Sequence, residues 1–210
     1  MYSGKVDHLF SKRYNGKMPV IDYNLGWMLY NIYLALLALV FGYFALVIRW
    51  KWLKIVFGVL WFLYLPNTIY IFTDLEHLIQ QWHKIVSSSF LLILQYLIFE
   101  LIGIIVFILA LVPFEKAVHA SKRYKNKFTI YMILFNFLIA FGMVLGRVER
   151  VNSWEIFTAP GKVINAALDI ITSLELIGLT VLFGLLCNFV YFLFRDPTHK
   201  VFRKILYVLD

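Results

Sequence analysis

Five stretches of the chain carry almost no charge and are long enough to cross a membrane. They run from about Leu25 to Ile48, Ile55 to Thr73, Ser88 to Val112, Phe128 to Gly146 and Ile171 to Phe194. Each is near the ~20 residues that a helix needs to cross ~30 Å of hydrocarbon at ~1.5 Å per residue. In lipid the backbone must satisfy its own polar groups, so such runs are helices. The pattern predicts an all-α fold: a polytopic transmembrane helical bundle of about five spans. A polar N-terminal segment takes residues 1–24, the bundle 25–194, and an amphipathic cytoplasmic tail 195–210. The first segment contains no apolar core of the kind a cleavable signal peptide needs. The stretch "IFTAPGKVINAALD" (156–169) is only moderately apolar and is interrupted by Pro160 and Gly161. It reads as a surface helix or a partly re-entrant loop.

Composition points the same way. Of 210 residues, 62% are hydrophobic and 15% charged, where a soluble domain carries about a quarter charged. That is too little polar surface to cover a globule. The net charge of +8 could suggest nucleic acid, but the basic residues lie between the apolar runs. Anionic lipid headgroups are the partner for charge placed there, and the bilayer itself is the main partner; no nucleic acid is expected. Cys187 is the single cysteine, which excludes an internal disulfide. Eight Lys and Arg residues fall on the side of the N-terminus and twelve on the other. By the positive-inside rule the N-terminus is external in a multi-pass plasma-membrane protein. Neither a cofactor nor an oligomeric state follows from these features.

Two polar clusters interrupt the apolar pattern, "LPNTIYIFTDLEHL" (65–78) and "GRVERVNSWE" (146–155). They end spans two and four, so with five spans they emerge on the same face. Asp74 lies twenty residues beyond Lys54, and Arg147 twenty beyond Lys127. Both therefore sit ~30 Å from the opposite interface. Asn67, Tyr70, Asp74 and His77 follow three-and-four spacing, as do Arg147, Arg150 and Trp154, so each set forms a stripe if helical. Pro66 should kink the second span, with Asn67 or Thr68 satisfying the backbone groups this frees.

These clusters resemble the signatures of a bacterial membrane family catalogued as domain of unknown function 1361. The matching positions are Leu65, Pro66, Asn67, Tyr70, Thr73, Asp74, His77 and Leu78 in the first cluster. In the second they are Gly146, Arg147, Arg150, Asn152, Ser153 and Trp154. "YNIYLA" (30–35) resembles a further family stretch at an earlier span. The chain departs from the pattern at Thr68–Ile69, Val151 and Glu155, and in its polar N-terminus, where many members have an extra span. The resemblance implies a shared site and brings no activity with it.

The plain reading of Asp74 with Arg147 or Arg150 is an ion pair tying two spans together. The functional reading is an anion site, because arginines one turn apart can grip phosphate or carboxylate in bidentate fashion. The two can coexist. Asn67, Tyr70, His77, Asn152 and Trp154 would line such a pocket. Asp74 and His77, with Glu76 or His83, suggest a metal, but two ligands do not close a site, and the arginines would repel a cation; no metal is assigned. As a catalytic pair, Asp74 and His77 could perform acid–base chemistry, whereas Ser153 lacks the surroundings of a nucleophile.

Glu100, in the middle of span three, should be protonated or paired, either as a proton carrier or as a helix-packing hydrogen bond. Glu175, one turn into span five, is a weaker case of the same kind. Asn24, Asn31, Ala35, Ala38 and Gly42 form a narrow packing stripe. "EKAVHASKRYKNK" (115–127) reads as a lipid-binding loop. The leading expectation is an outer-interface site that recognises an anionic lipid or envelope component. The alternatives are a membrane hydrolase or transferase acting on a lipid-linked substrate, a proton-coupled transporter, and a structural subunit. The sequence leaves open whether the protein is an enzyme.

Overall fold

The computed structural model describes residues 20–74, 77–79 and 89–202. Glu76, His83, most of the polar N-terminal segment and the end of the tail lie outside the described residues. The chain is all-α. Its first helices are α1 (Val20–Val47) and α2 (Lys51–Tyr64), followed by a 3-10 segment, Leu65–Thr68, and a short α3 (Tyr70–Thr73). Then come α4 (Ser89–Ala110), α5 (Val112–Ala120), α6 (Lys122–Lys125) and α7 (Phe128–Arg147). The chain closes with α8 (Glu155–Thr158), α9 (Pro160–Thr172) and α10 (Leu174–Val201). Four helical stretches are long and apolar enough to span a membrane: Ile21–Val47, Phe90–Ala120, Phe128–Arg147 and Leu174–Val201. The protein is a multi-pass membrane protein in contact with the lipid bilayer.

The expected second span is the one that differs. Helix α2 has 14 residues, about 21 Å at helical rise. Pro66 then ends regular α-geometry and the chain continues as a 3-10 turn. Proline has no N–H to give and crowds the preceding turn, so the break falls where the residue type requires it. As anticipated, the neighbouring side chains cover the exposed carbonyls. Asn67 Nδ2 donates to the Tyr64 carbonyl at 3.0 Å, and Thr68 Oγ1 to that of Leu65 at 2.7 Å.

The broken segment still runs antiparallel to α1. Trp61 packs on Gly42, Asp74 meets Asn31, and the His77 ring lies 5.3 Å from that of Trp27. Ala35, Ala38 and Gly42 are buried beneath it, as the small-residue stripe predicts. Gly42 is needed there, because a Cβ would press 2.8 Å from Trp61 Cδ1, whose indole N–H donates to the Ala110 carbonyl at 2.7 Å.

Three boundaries move. Residues 115–120 belong to α5 rather than to a loop, since Pro113 suits the first turn of a helix and the helix carries on to Ala120. Residues 195–201 continue α10 through Pro197 rather than beginning a separate tail. Residues 160–172 form the surface-helix alternative, with Pro160 at the start and Ala166 and Ile170 buried. Ser173 then caps α10, its hydroxyl accepting from the Leu176 N–H at 3.4 Å. Helices α7 and α10 are held by Asn136, which donates to Asn188 at 3.0 Å, a polar bond of the kind that joins helices in lipid.

Candidate functional site

At one end of the bundle the two polar clusters meet. The Asp74 carboxylate is almost wholly enclosed, with 1% of its side chain exposed against 37% for Arg147. One carboxylate oxygen accepts from Arg147 Nη2. The other accepts from Asn31 Nδ2 at 2.5 Å. A carboxylate removed from water is stable only when paired and hydrogen-bonded, and both oxygens are. The Arg147 guanidinium also lies 5.6 Å from the centroid of the Tyr70 ring. Tyr70 comes this close because Gly146 leaves room for its hydroxyl where any Cβ would collide. Tyr70, Asp74 and Arg147 therefore form one unit, with Asn31 as a fourth member.

The sequence pattern puts Asn31 on the packing stripe alone, whereas the structure brings it to Asp74. Its position in the "YNIYLA" stretch was the available signal. The other expected residues are distributed differently. Asn67 is buried and turned to its own backbone. His77 is exposed, with its backbone N–H bonded to the Asp74 carbonyl at 3.0 Å. With both Asp74 oxygens held by Arg147 and Asn31, the geometry does not favour an Asp74–His77 acid–base pair. Among the described residues, no group of three or more His, Cys, Asp or Glu is placed to hold a metal ion.

The stripe proposed for Arg147, Arg150 and Trp154 does not form, because α7 stops at Arg147. The chain turns through Arg150, whose φ of 55° is left-handed, and the Val151 N–H closes the turn on the Leu145 carbonyl at 3.0 Å. A non-glycine residue in this region is uncommon and marks a turn under local constraint. The constraint comes from α9 and from Glu155. Lys162 Nζ donates to the Arg150 carbonyl at 3.2 Å and to the Glu155 carboxylate at 2.7 Å. Glu155 in turn accepts from the Asn152 backbone N–H at 2.6 Å, which ties the loop to the start of α8. The Lys162 hydrogen bond, then that of Asn152, holds the Glu155 carboxyl below the ordinary glutamate range. Ser153 Oγ donates to the Leu63 carbonyl at 2.9 Å, so it anchors the loop to α2. Arg150, Asn152 and Trp154 are exposed on this pinned loop.

Beside the unit lies a cleft of about 240 Å³. Phe62, Pro66 and Tyr70 line one wall, and Leu138, Gly142 and Leu145 of α7 line the other. Asn152 and Ser153 stand at the loop end. The cleft is otherwise apolar.

A second buried ionic cluster occupies the opposite end of the bundle. Glu115 is buried and accepts from the Tyr191 hydroxyl at 2.5 Å and from Arg195 Nε at 3.1 Å. His199 Nε2 lies 3.7 Å from its other oxygen. The sequence pattern points to a lipid-binding loop at Glu115, whereas the structure buries the residue in this cluster. Its signal was the four-residue spacing of Tyr191, Arg195 and His199, which places all three on one helical face.

No curated protein and no solved structure matches the chain significantly. The family model described as a protein of unknown function, DUF1361, does match it, over residues 30–190. That range takes in Asn31, Asp74 and Arg147 at one end of the bundle and Glu115 at the other, and the chain belongs to this family.

Proposed function

We propose that the protein recognises an anionic lipid or envelope component at the outer membrane interface, with Arg147 and Arg150 as its anion ligands. The observation that carries this reading is the geometry of Arg147. A buried carboxylate and a tyrosine ring hold its guanidinium in one orientation while more than a third of the side chain stays exposed. A planar fork fixed in this way suits a phosphate or carboxylate, because little side-chain freedom remains to be lost on binding. Arg150 lies on the adjoining pinned loop, and Asn152 and Trp154 would contribute contacts from the same loop. Asp74 positions Arg147, and Tyr70 supports it from below. Arg147→Lys tests the reading, since a lysine keeps the charge for Asp74 but not the fork. The variant should fold and lose retention of phosphatidylglycerol over phosphatidylcholine; unchanged retention would refute the role of Arg147.

One observation favours a second reading, proton movement through the bundle. Both carboxyl oxygens of Glu100 and the hydroxyl of Tyr96, one turn away, are buried without a hydrogen-bond partner among the described residues. Proton flux into vesicles that is lost in Glu100→Gln would support it.

A further inference from the structure

We infer that the ligand is a lipid, and that one of its acyl chains lies in the cleft between the broken second segment and α7. This inference rests on the anion reading above and names the class of molecule. The cleft begins at the loop that carries Asn152 and Ser153 and reaches down α7 as far as Leu138. Leu138 is nine residues below Arg147, or about 14 Å along the helix. An anionic headgroup at Arg147 thus stands above an apolar slot directed into the membrane. The volume of about 240 Å³ exceeds the ~150 Å³ apolar cavity known to take up a benzene ring. Phe62, Leu138 and Ile156 are exposed at its rim, so a chain can enter from the lipid side without crossing water.

A soluble anion would use the arginines and leave the slot idle. A neutral lipid would use the slot and offer no negative charge to the arginines. An anionic lipid uses both. Transfer of a chain from the bilayer gains no hydrophobic free energy, since lipid tails are as apolar as the cleft. The chain's contribution is close packing, and the headgroup supplies selectivity. Filling the slot should therefore lower occupancy while leaving the arginines in place.

The test is native mass spectrometry of the full-length protein in detergent, offered equal amounts of dioleoyl phosphatidylglycerol and dioleoyl phosphatidylcholine. Val163 lines the cleft from α9, whereas its neighbour Ile164 is exposed and does not. Val163→Trp should reduce bound phosphatidylglycerol several-fold, Ile164→Trp should not, and soluble glycerol 3-phosphate should fail to displace the lipid. If Val163→Trp does not fold, Ile156→Trp fills the slot from its rim. Wild-type retention in the filled variant, with loss in Arg147→Gln, would overturn the chain site and leave the anion reading standing. Equal binding of both lipids in wild type, abolished by Val163→Trp, would uphold the chain site and overturn the anion reading. Displacement of the lipid by glycerol 3-phosphate would show that the ligand is a soluble anion and refute the inference.

Discussion

Removing the charge of Arg147 leaves the Asp74 carboxylate with Asn31 as its one remaining side-chain partner among the described residues. Breaking a fully buried ion pair from one side costs ~3–5 kcal/mol, because the remaining charge has no compensation. Here Asp74 is enclosed but Arg147 is a third exposed, and water can reach the vacated space. Screening should reduce the cost of Arg147→Gln to ~2–3 kcal/mol. Asp74→Asn removes the charge from the buried side and should make the loss of Arg147 much cheaper. A double-mutant cycle of Asp74→Asn and Arg147→Gln should therefore give a coupling of ~2 kcal/mol. Reversible unfolding in mixed micelles, followed by the fluorescence of the half-buried Trp27 and Trp61, measures all four corners. A coupling no larger than the ~0.5 kcal/mol of exposed pairs would refute the claim that Asp74 depends on Arg147. The burial asymmetry also means that exchanging the two residues should not recover stability. The space around residue 74 is sized for a carboxylate between Asn31 and Arg147, and a longer guanidinium stem would overpack it.

At the other end, Tyr191→Phe should cost ~1.5–3 kcal/mol, the loss of a hydrogen bond to a charged group, and Glu115→Ala more, measured in the same assay. Arg150→Gly should be more stable than Arg150→Ala by up to ~1 kcal/mol, because glycine accepts the left-handed conformation without strain, while both weaken retention of phosphatidylglycerol. Glu100→Leu should be neutral or stabilising, as no hydrogen bond among the described residues is lost and a buried polar group disappears; a loss of ~1 kcal/mol would reveal a partner for the carboxyl. The Glu155 carboxyl titrates lower in the folded loop than in the unfolded chain. Its stabilisation is therefore complete above the ordinary glutamate range near ~4.3 and is lost as the pH falls through the folded value. Protease nicking of residues 150–162 should rise in acid in the wild type, and Lys162→Met should show the raised rate already at neutral pH.

The apolar runs made the spans legible, because in lipid the helix must satisfy its own backbone and its length follows from bilayer thickness. Pro66 announced the break and Asn67 and Thr68 its repair, since these are local effects of residue type. The meeting of Asp74 with Arg147 could be anticipated from topology and depth alone. Spacing arguments failed where the helix they assumed was absent. Arg150 and Trp154 were put on a face with Arg147, but α7 ends at Arg147 itself. The loop that follows is held by Lys162, twelve residues beyond Arg150 and on another helix, which no local pattern reports. Asn31 and Glu115 were missed for a related reason. Each was assigned by its own neighbourhood, to a packing stripe and to a basic loop, while its partner lies on a distant segment.

The break at Pro66 connects the ionic unit to the cleft. Phe62, Pro66 and Tyr70 recur every four residues and face the cleft, while Leu65 and Ile69 are buried in the core. A straight helix would set Asn67 and Tyr70 on the same stripe as Asp74 and pack that face flush against α7. The 3-10 turn instead directs Asn67 to its own backbone and leaves the space beneath Tyr70 unfilled. A segment interrupted this way forfeits backbone hydrogen bonds that a bilayer cannot replace, so it must be held from outside. Asp74 does this at its far end through Asn31 on α1 and Arg147 on α7, and Ser153 does it through the Leu63 carbonyl. The ion pair is thus both clasp and frame. Without it the second segment could straighten or move off α7, and the cleft would lose one wall. The structural and ligand-binding readings of Asp74 and Arg147 therefore do not compete: the pair that secures the broken helix also aims the exposed guanidinium above the slot that the break creates.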